Sequence, residues 1–177
     1  MALQRLATFA PNDVTVVITQ QSTGIAHIVS GYSEDSIVNI ERNAETFTMY
    51  TGADNTSTRI YNANKSAVIT LSLQQTSASN DILSQLYRND ADSRDSSGLF
   101  SLSIVDASGR SKYFSDDAYI GVVPNSAFAN SMQTRDWVLH AHNLDTFIGG
   151  NAVLTPEDQA TLVTLGYQPD ARWVIGA

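Results

Sequence analysis

The sequence predicts a mainly β domain covered by one amphipathic helix, and three observations predict it. Ala67 to Gln74 alternates as a strand should, with Ala67, Ile69, Leu71 and Leu73 on one side and Val68, Thr70, Ser72 and Gln74 on the other, the period of a half-buried strand. After a polar corner, Ile82, Leu83, Leu86 and Tyr87 recur as a helical apolar stripe, with Asn80 or Asp81 placed to cap its start. That stripe needs a sheet face to cover, and Ile69, Leu71 and Leu73 supply the core under it, against Ile82, Leu83 and Leu86. Most of the remaining chain reads as short strands between turns rich in Gly, Asn, Asp and Ser.

In chain order, Asp13 to Thr19 is a strand and Ile25 to Ser30 its return, around a polar turn at Gln20 to Gly24. Ile37 to Ile40 starts a short strand running towards Arg42, and Phe47 to Tyr50 is the next. Thr51 to Lys65 is then dominated by Gly, Asn, Asp, Ser and Thr, and reads as a long loop or an extended hairpin that leaves the core. Loops beyond about 12–15 residues are uncommon in compact domains unless they have a role. Ile60 and Tyr61 are also poor residues to leave in water. Asn89 to Gly98 reads as solvated loop, and Leu99 to Val105 with Lys112 to Ser115 as a hairpin around Asp106 to Gly109. Ala118 to Val123 is a separate strand ended by Pro124, and Ser126 to Gln133 is loose. Thr134 to Leu144 is strongly β, with Trp137, Leu139 and Ala141 on one face and Val138, His140 and His142 on the other. Near the end, Thr155 caps a helix with Pro156 at its first position and Glu157 and Asp158 in its positive first turn, and Gly166 stops it. Tyr167, Trp173, Val174 and Ile175 form an apolar tail expected to dock on its own domain or on a neighbour.

Eighteen Asp and Glu against ten Lys and Arg give a net charge of −8, spread along the chain without a basic patch. That argues against gripping a phosphate backbone. The absence of cysteine excludes a disulfide framework and thiolate catalysis. No run approaches a membrane span and the N-terminal stretch lacks a signal-peptide core, so a soluble protein made in the cytoplasm, with no membrane partner, is expected. Asp90, Asp92 and Asp95 lack the Gly and distal Glu of a calcium loop. His140 and His142 share a strand face, with Asp116 and Asp117 as conceivable further ligands, but no zinc spacing supports them. Glycine-rich phosphate loops and the nucleophile elbow are missing, so neither an enzyme, a metal nor a cofactor is expected.

The run Gly52-Ala53-Asp54, then Arg59, Asn62, Asn64 and Ser66, then Ile69 to Asp81 (ITLSLQQTSASND) resembles the signature of a bacteriophage tail tube family that includes a structural protein of a Pseudomonas-infecting myovirus. Ile40-Glu41-Arg42, Phe47-Thr48, Arg135 to Leu139 and Phe147 to Asn151 are similar to it as well, so the resemblance covers about residues 13–151. It implies an antiparallel β-sandwich or partly closed β-barrel with one flanking α-helix, here followed by a C-terminal helical extension. It divides the chain into a tail-tube-like domain over 1–151, with an inter-subunit loop at 51–66, and an extension over 152–177. It also implies a structural subunit of a contractile tail: a homo-hexameric ring, stacked into a tube through which genomic DNA passes without specific binding. The partners implied are the sheath, baseplate and tail-terminator proteins, and the location is the virion tail, assembled in the host cytoplasm.

Within that frame, Asp54, Arg59, Ile60, Tyr61 and Lys65 are expected to reach a neighbouring subunit or ring, and Thr70, Ser72 and Gln74 to face the channel. Six subunits giving four strands each, about 4.8 Å apart, make a barrel with a backbone diameter of roughly 37 Å, wide enough for a duplex. An acidic or neutral lining lets DNA slide where a basic one would hold it. The alternatives are a tube subunit of a phage-like contractile particle or secretion system, and a carbohydrate-binding β-sandwich module, which would want exposed aromatics on one sheet face.

Overall fold

A computed structural model describes residues 6–174; Ile175, and the first residues of the stretch searched for a signal peptide, lie outside the described residues. Seven strands follow one antiparallel path, from edge to edge β2 (Ala26–Ile28), β1 (Val14–Gln20), β7 (Phe100–Asp106), β8 (Lys112–Val122), β9 (Thr134–Ala141), β6 (Ala67–Gln74) and β3 (Val38–Arg42). A short β10 (Asp145–Phe147) pairs with the start of β8. The sheet is not closed into a barrel: among the described residues β2 and β3 remain as its two ends. It nonetheless curls, since Val14 of β1 and Val38 and Ile40 of β3 line one cleft with Ile104 and Tyr113.

The period-two pattern explains the core. Val16 and Ile18, Phe100, Leu102 and Ile104, Ala118 and Ile120, Trp137, Leu139 and Ala141, and Ala67, Ile69, Leu71 and Leu73 all point inward and form one buried cluster. Leu83 and Leu86 of α1 (Ser79–Ser93) join it. Each Val, Leu, Ile or Phe among them, fully buried, contributes roughly 1.5–3 kcal/mol, and each Ala about 1 or less. Ile82 does not belong to it: its side chain stays exposed beside Ile25 and Ala26 of the β1–β2 corner, because only the Leu83–Leu86 side of the helix meets the sheet interior.

Three further expectations are corrected. The N-cap position of α1 is Ala78, with no side-chain cap. Asn80 spends its amide elsewhere, accepting from the Trp137 indole N–H at 2.9 Å and donating to the Gln74 carbonyl at 2.9 Å. The helix also runs on through Asn89 to Ser93, a polar last turn that faces solvent and therefore carries no apolar signal. Finally, Lys112 to Val122 is one strand, not two. Its pairing with β7 shifts between Phe100↔Ala118 and Leu102↔Ser115, so Asp116 and Asp117 are taken up in a bulge.

Tyr32 bridges to Leu73 on the side of β6 that β3 leaves uncovered beyond Leu71, and among the described residues its buried hydroxyl makes no well-formed hydrogen bond. Burial pushes this phenol up to about 12, and the Val16 backbone, near it but not in hydrogen-bond geometry, opposes more weakly. Because the folded pKa lies above the unfolded value near 10, the associated stability is complete below pH 10 and is lost as pH rises through about 12. Tyr32→Phe should therefore leave the neutral-pH urea midpoint unchanged or raised, and flatten its fall above pH 10; a lowered midpoint at neutral pH would count against this account.

The C-terminal segment folds onto the same domain. Helix α2 (Pro156–Thr164) starts with the expected cap, a reciprocal box between Thr155 and Asp158, and Gly166 follows it with φ +88°. None of its own residues is buried. Docking comes from the flanks: Leu154 bridges to Val174, Tyr167 stacks on Phe147 with ring centroids 4.5 Å apart, and the Arg110 guanidinium sits 5.2 Å over the Trp173 ring.

Candidate functional site

The ribbon β4–β5, Phe47–Thr51 and Ser57–Tyr61, is a two-stranded sheet that pairs only with itself among the described residues. It prolongs the β3–β6 ladder. The Asn43 N–H donates to the Ser66 carbonyl and the Asn62 N–H to the Thr46 carbonyl. Between those bonds Ala44 and Glu45 face Ala63, Asn64 and Lys65, one residue more, so the ladder breaks there and resumes in a new register. Asn62 Oδ1 accepts from the Asn64 N–H and Asn64 Oδ1 from the Ser66 N–H, two local turns that shape this root.

Every residue of β4 and β5 is exposed. Phe47, Met49 and Tyr61 share one face with Arg59, whose guanidinium lies 4.3 Å from the Phe47 ring centre. Tyr50 and Ile60 lie on the other face. An isolated two-stranded hairpin is marginally stable in water, and this one exposes large apolar groups on both sides. At the tip, Asp54 accepts from the hydroxyl and N–H of Thr56, and these bonds hold its carboxyl below the ordinary carboxylate range. Among the described residues no ion pair joins Asp54, Arg59 and Lys65. Asp54 builds the turn, and the Lys65 carbonyl anchors the Leu144 N–H.

The outer face of β6 continues sideways in register. Thr70 lies between Asn39 and Val138, Val68 between Glu41 and His140, and Ser72 beside Asp136. Thr70 is half-buried and Gln74 exposed, while Ser72 is only 9 % exposed. Gln74 donates its amide to the Tyr32 carbonyl. The charged residues on this face of β3, β6 and β9 are Glu41 and Asp136; Arg42 and Arg135 lie on the core-facing side. His140 stacks on Tyr119 at 5.3 Å, and the His142 N–H donates to the Asp117 carbonyl. Asp90 and Asp92 lie on α1, with Asp95 beyond it. No group able to hold a metal ion occurs among the described residues.

One feature escaped the sequence reading. Arg135 occupies a core-facing position of β9 in the row of Trp137 and Leu139, and is 7 % exposed. Its guanidinium donates to the Ala127 and Thr134 carbonyls, each at 3.1 Å, and lies 5.4 Å from the Phe128 ring centre. It thus braces the β8–β9 loop from inside, while Phe128 and Met132 project into solvent. The available signal was a charged residue in phase with an inward apolar row.

The structure resembles the anti-feeding prophage cap (AFP tube terminating cap), at a TM-score of 0.52 and 13 % identity over 83 % of this chain and 99 % of that one. It also resembles a chain of the sheath–tube complex of an extracellular contractile injection system, PVC, in its extended state, at a TM-score of 0.50 and 12 % identity over 79 % and 91 %. At these identities the likeness concerns the fold. Structural protein ORF10 of Pseudomonas phage KPP10 is 50 % identical over 170 residues, 96 % of this chain and 98 % of that protein. The family model described as bacteriophage PhiTE tail tube protein matches residues 6–149, and the chain accordingly belongs to that tail tube family.

Proposed function

We propose that this chain is the tail tube subunit of a contractile-tailed phage. Copies of it form rings of six, the rings stack into a tube, and genomic DNA leaves the capsid through the lumen. The observation that carries the reading is the β4–β5 arm, exposed throughout, apolar on both faces and, among the described residues, paired only with itself. An arm of this kind gains stability when a second copy covers it. The free edges of β2 and β3 supply unpaired backbone groups for lateral contacts. Sheath, baseplate and tail-terminator proteins then surround and end the tube, in a particle assembled in the host cytoplasm.

The outer face of β8, β9, β6 and β3 is assigned to the lumen. Its charged groups on β3, β6 and β9 are acidic, which suits a passage that must not retain DNA. Thr70 and Asp136 are better lumen probes than Ser72, which its neighbours almost cover. Phage complemented with Thr70→Lys/Asp136→Lys should assemble tails of normal length, yet lose infectivity at least tenfold and keep DNA in the head after sheath contraction. Full infectivity of such particles would refute the lumen assignment.

A further inference from the structure

We infer that the Arg135-braced β8–β9 loop is the receptor for the β4–β5 arm of another copy, and that the two make the head-to-tail joint of the tube; this rests on the tube reading above. The topology places arm and loop at opposite ends of one strand. The arm root meets β6 at Ser66, while at the other end Gln74 pairs with Thr134 and the Gln75 N–H donates to the Gln133 carbonyl. A strand of this length separates them by about 24 Å. Two different patches at opposite ends of one subunit make a heterologous contact, which repeats along an axis without a twofold.

The chemistry of the two patches matches. Val123 to Gln133 contains no charged residue and presents Phe128 and Met132 to solvent, 82 % and 61 % exposed. The arm strands carry Arg59 as their only charged residue, among Phe47, Met49, Tyr50, Ile60 and Tyr61. Tyr50 and Ile60 lie on the face away from Arg59, so burial of an aromatic against that face covers no solvated charge. The backbone beneath Phe128 is also anchored: the buried Arg135 guanidinium bonds to the adjacent carbonyl of Ala127 and lies 5.4 Å from the Phe128 ring centre. An exposed aromatic on an anchored backbone costs less entropy to bury than one on a loose loop, a property of interface anchors.

The chain has no cysteine, so disulfide trapping is clean. Tubes assembled from Ile60→Cys/Ala129→Cys, which keeps the Phe128 ring, and then oxidised should run as a ladder of covalent multimers on a non-reducing gel, with each single variant remaining monomeric. Phe128→Ala alters a solvent-exposed group, so its monomer should melt as wild type while the concentration needed for tube growth rises at least tenfold. Wild-type tube growth by Phe128→Ala, or dimers from Ile60→Cys alone, overturns the joint while leaving the tube reading intact. If wild-type protein forms no tubes under the same conditions, the tube reading falls, and the joint with it.

Discussion

Deleting residues 54–62 should leave a folded chain that no longer polymerises. Among the described residues β4 and β5 pair only with each other, so the deletion removes no ladder bond of the main sheet and no member of the buried cluster. The Asn43–Ser66 bonds that close the root remain outside the deleted segment. The melting temperature should stay within about 3 °C of wild type, on the order of 1 kcal/mol for a domain of this size. Sedimentation should then find species no larger than one ring at concentrations where wild type forms tubes. Tubes of normal length from the deletion would show that the arm is dispensable and remove the main support for its role.

Trp137→Ala should have the largest effect on the fold itself. The side chain is 2 % exposed and lies in the row that packs β9 against β6 beneath α1. Removing a buried aromatic of this size costs about 3–5 kcal/mol, a large part of a typical total of 5–15. The change also deprives Asn80 Oδ1 of its donor at the start of α1. Trp137→Phe should cost less, about 1–3 kcal/mol, most of it from the unpaired Asn80 carbonyl. Urea midpoints should be compared in the arm-deleted background, where assembly does not add to apparent stability. If Trp137→Ala lowers the midpoint no more than Trp137→Phe, the indole is not the keystone between β9 and α1.

What could be read from the sequence follows from where its signals are local. Ala67 to Gln74 alternates, Val68 apart, because one face meets the core, and its strand limits are those of β6. Thr155-Pro156-Glu157-Asp158 carries a complete cap within four residues, and α2 begins there. The signals that misled belong to long-range partners. Asn80 has the chemistry of a cap, but an indole donor 57 residues away takes its carbonyl. Asp116 and Asp117 break the alternation and suggest two strands, whereas a bulge accommodates them in β8. Helix α1 continues through a polar turn because one exposed turn needs no apolar residue. At the candidate site, the exposed apolar residues of 51–66 were legible as a projecting element. Arg135 was not, since its meaning depends on carbonyls of a loop that the sequence shows only as small and polar.

Negative-stain imaging of the purified full-length protein tests the central claim most directly. The arm, the open sheet edges and the head-to-tail placement of arm and loop predict rings with a central channel, stacking into tubes as concentration rises. A single population of monomers at every concentration, with the β4–β5 arm intact, would contradict it.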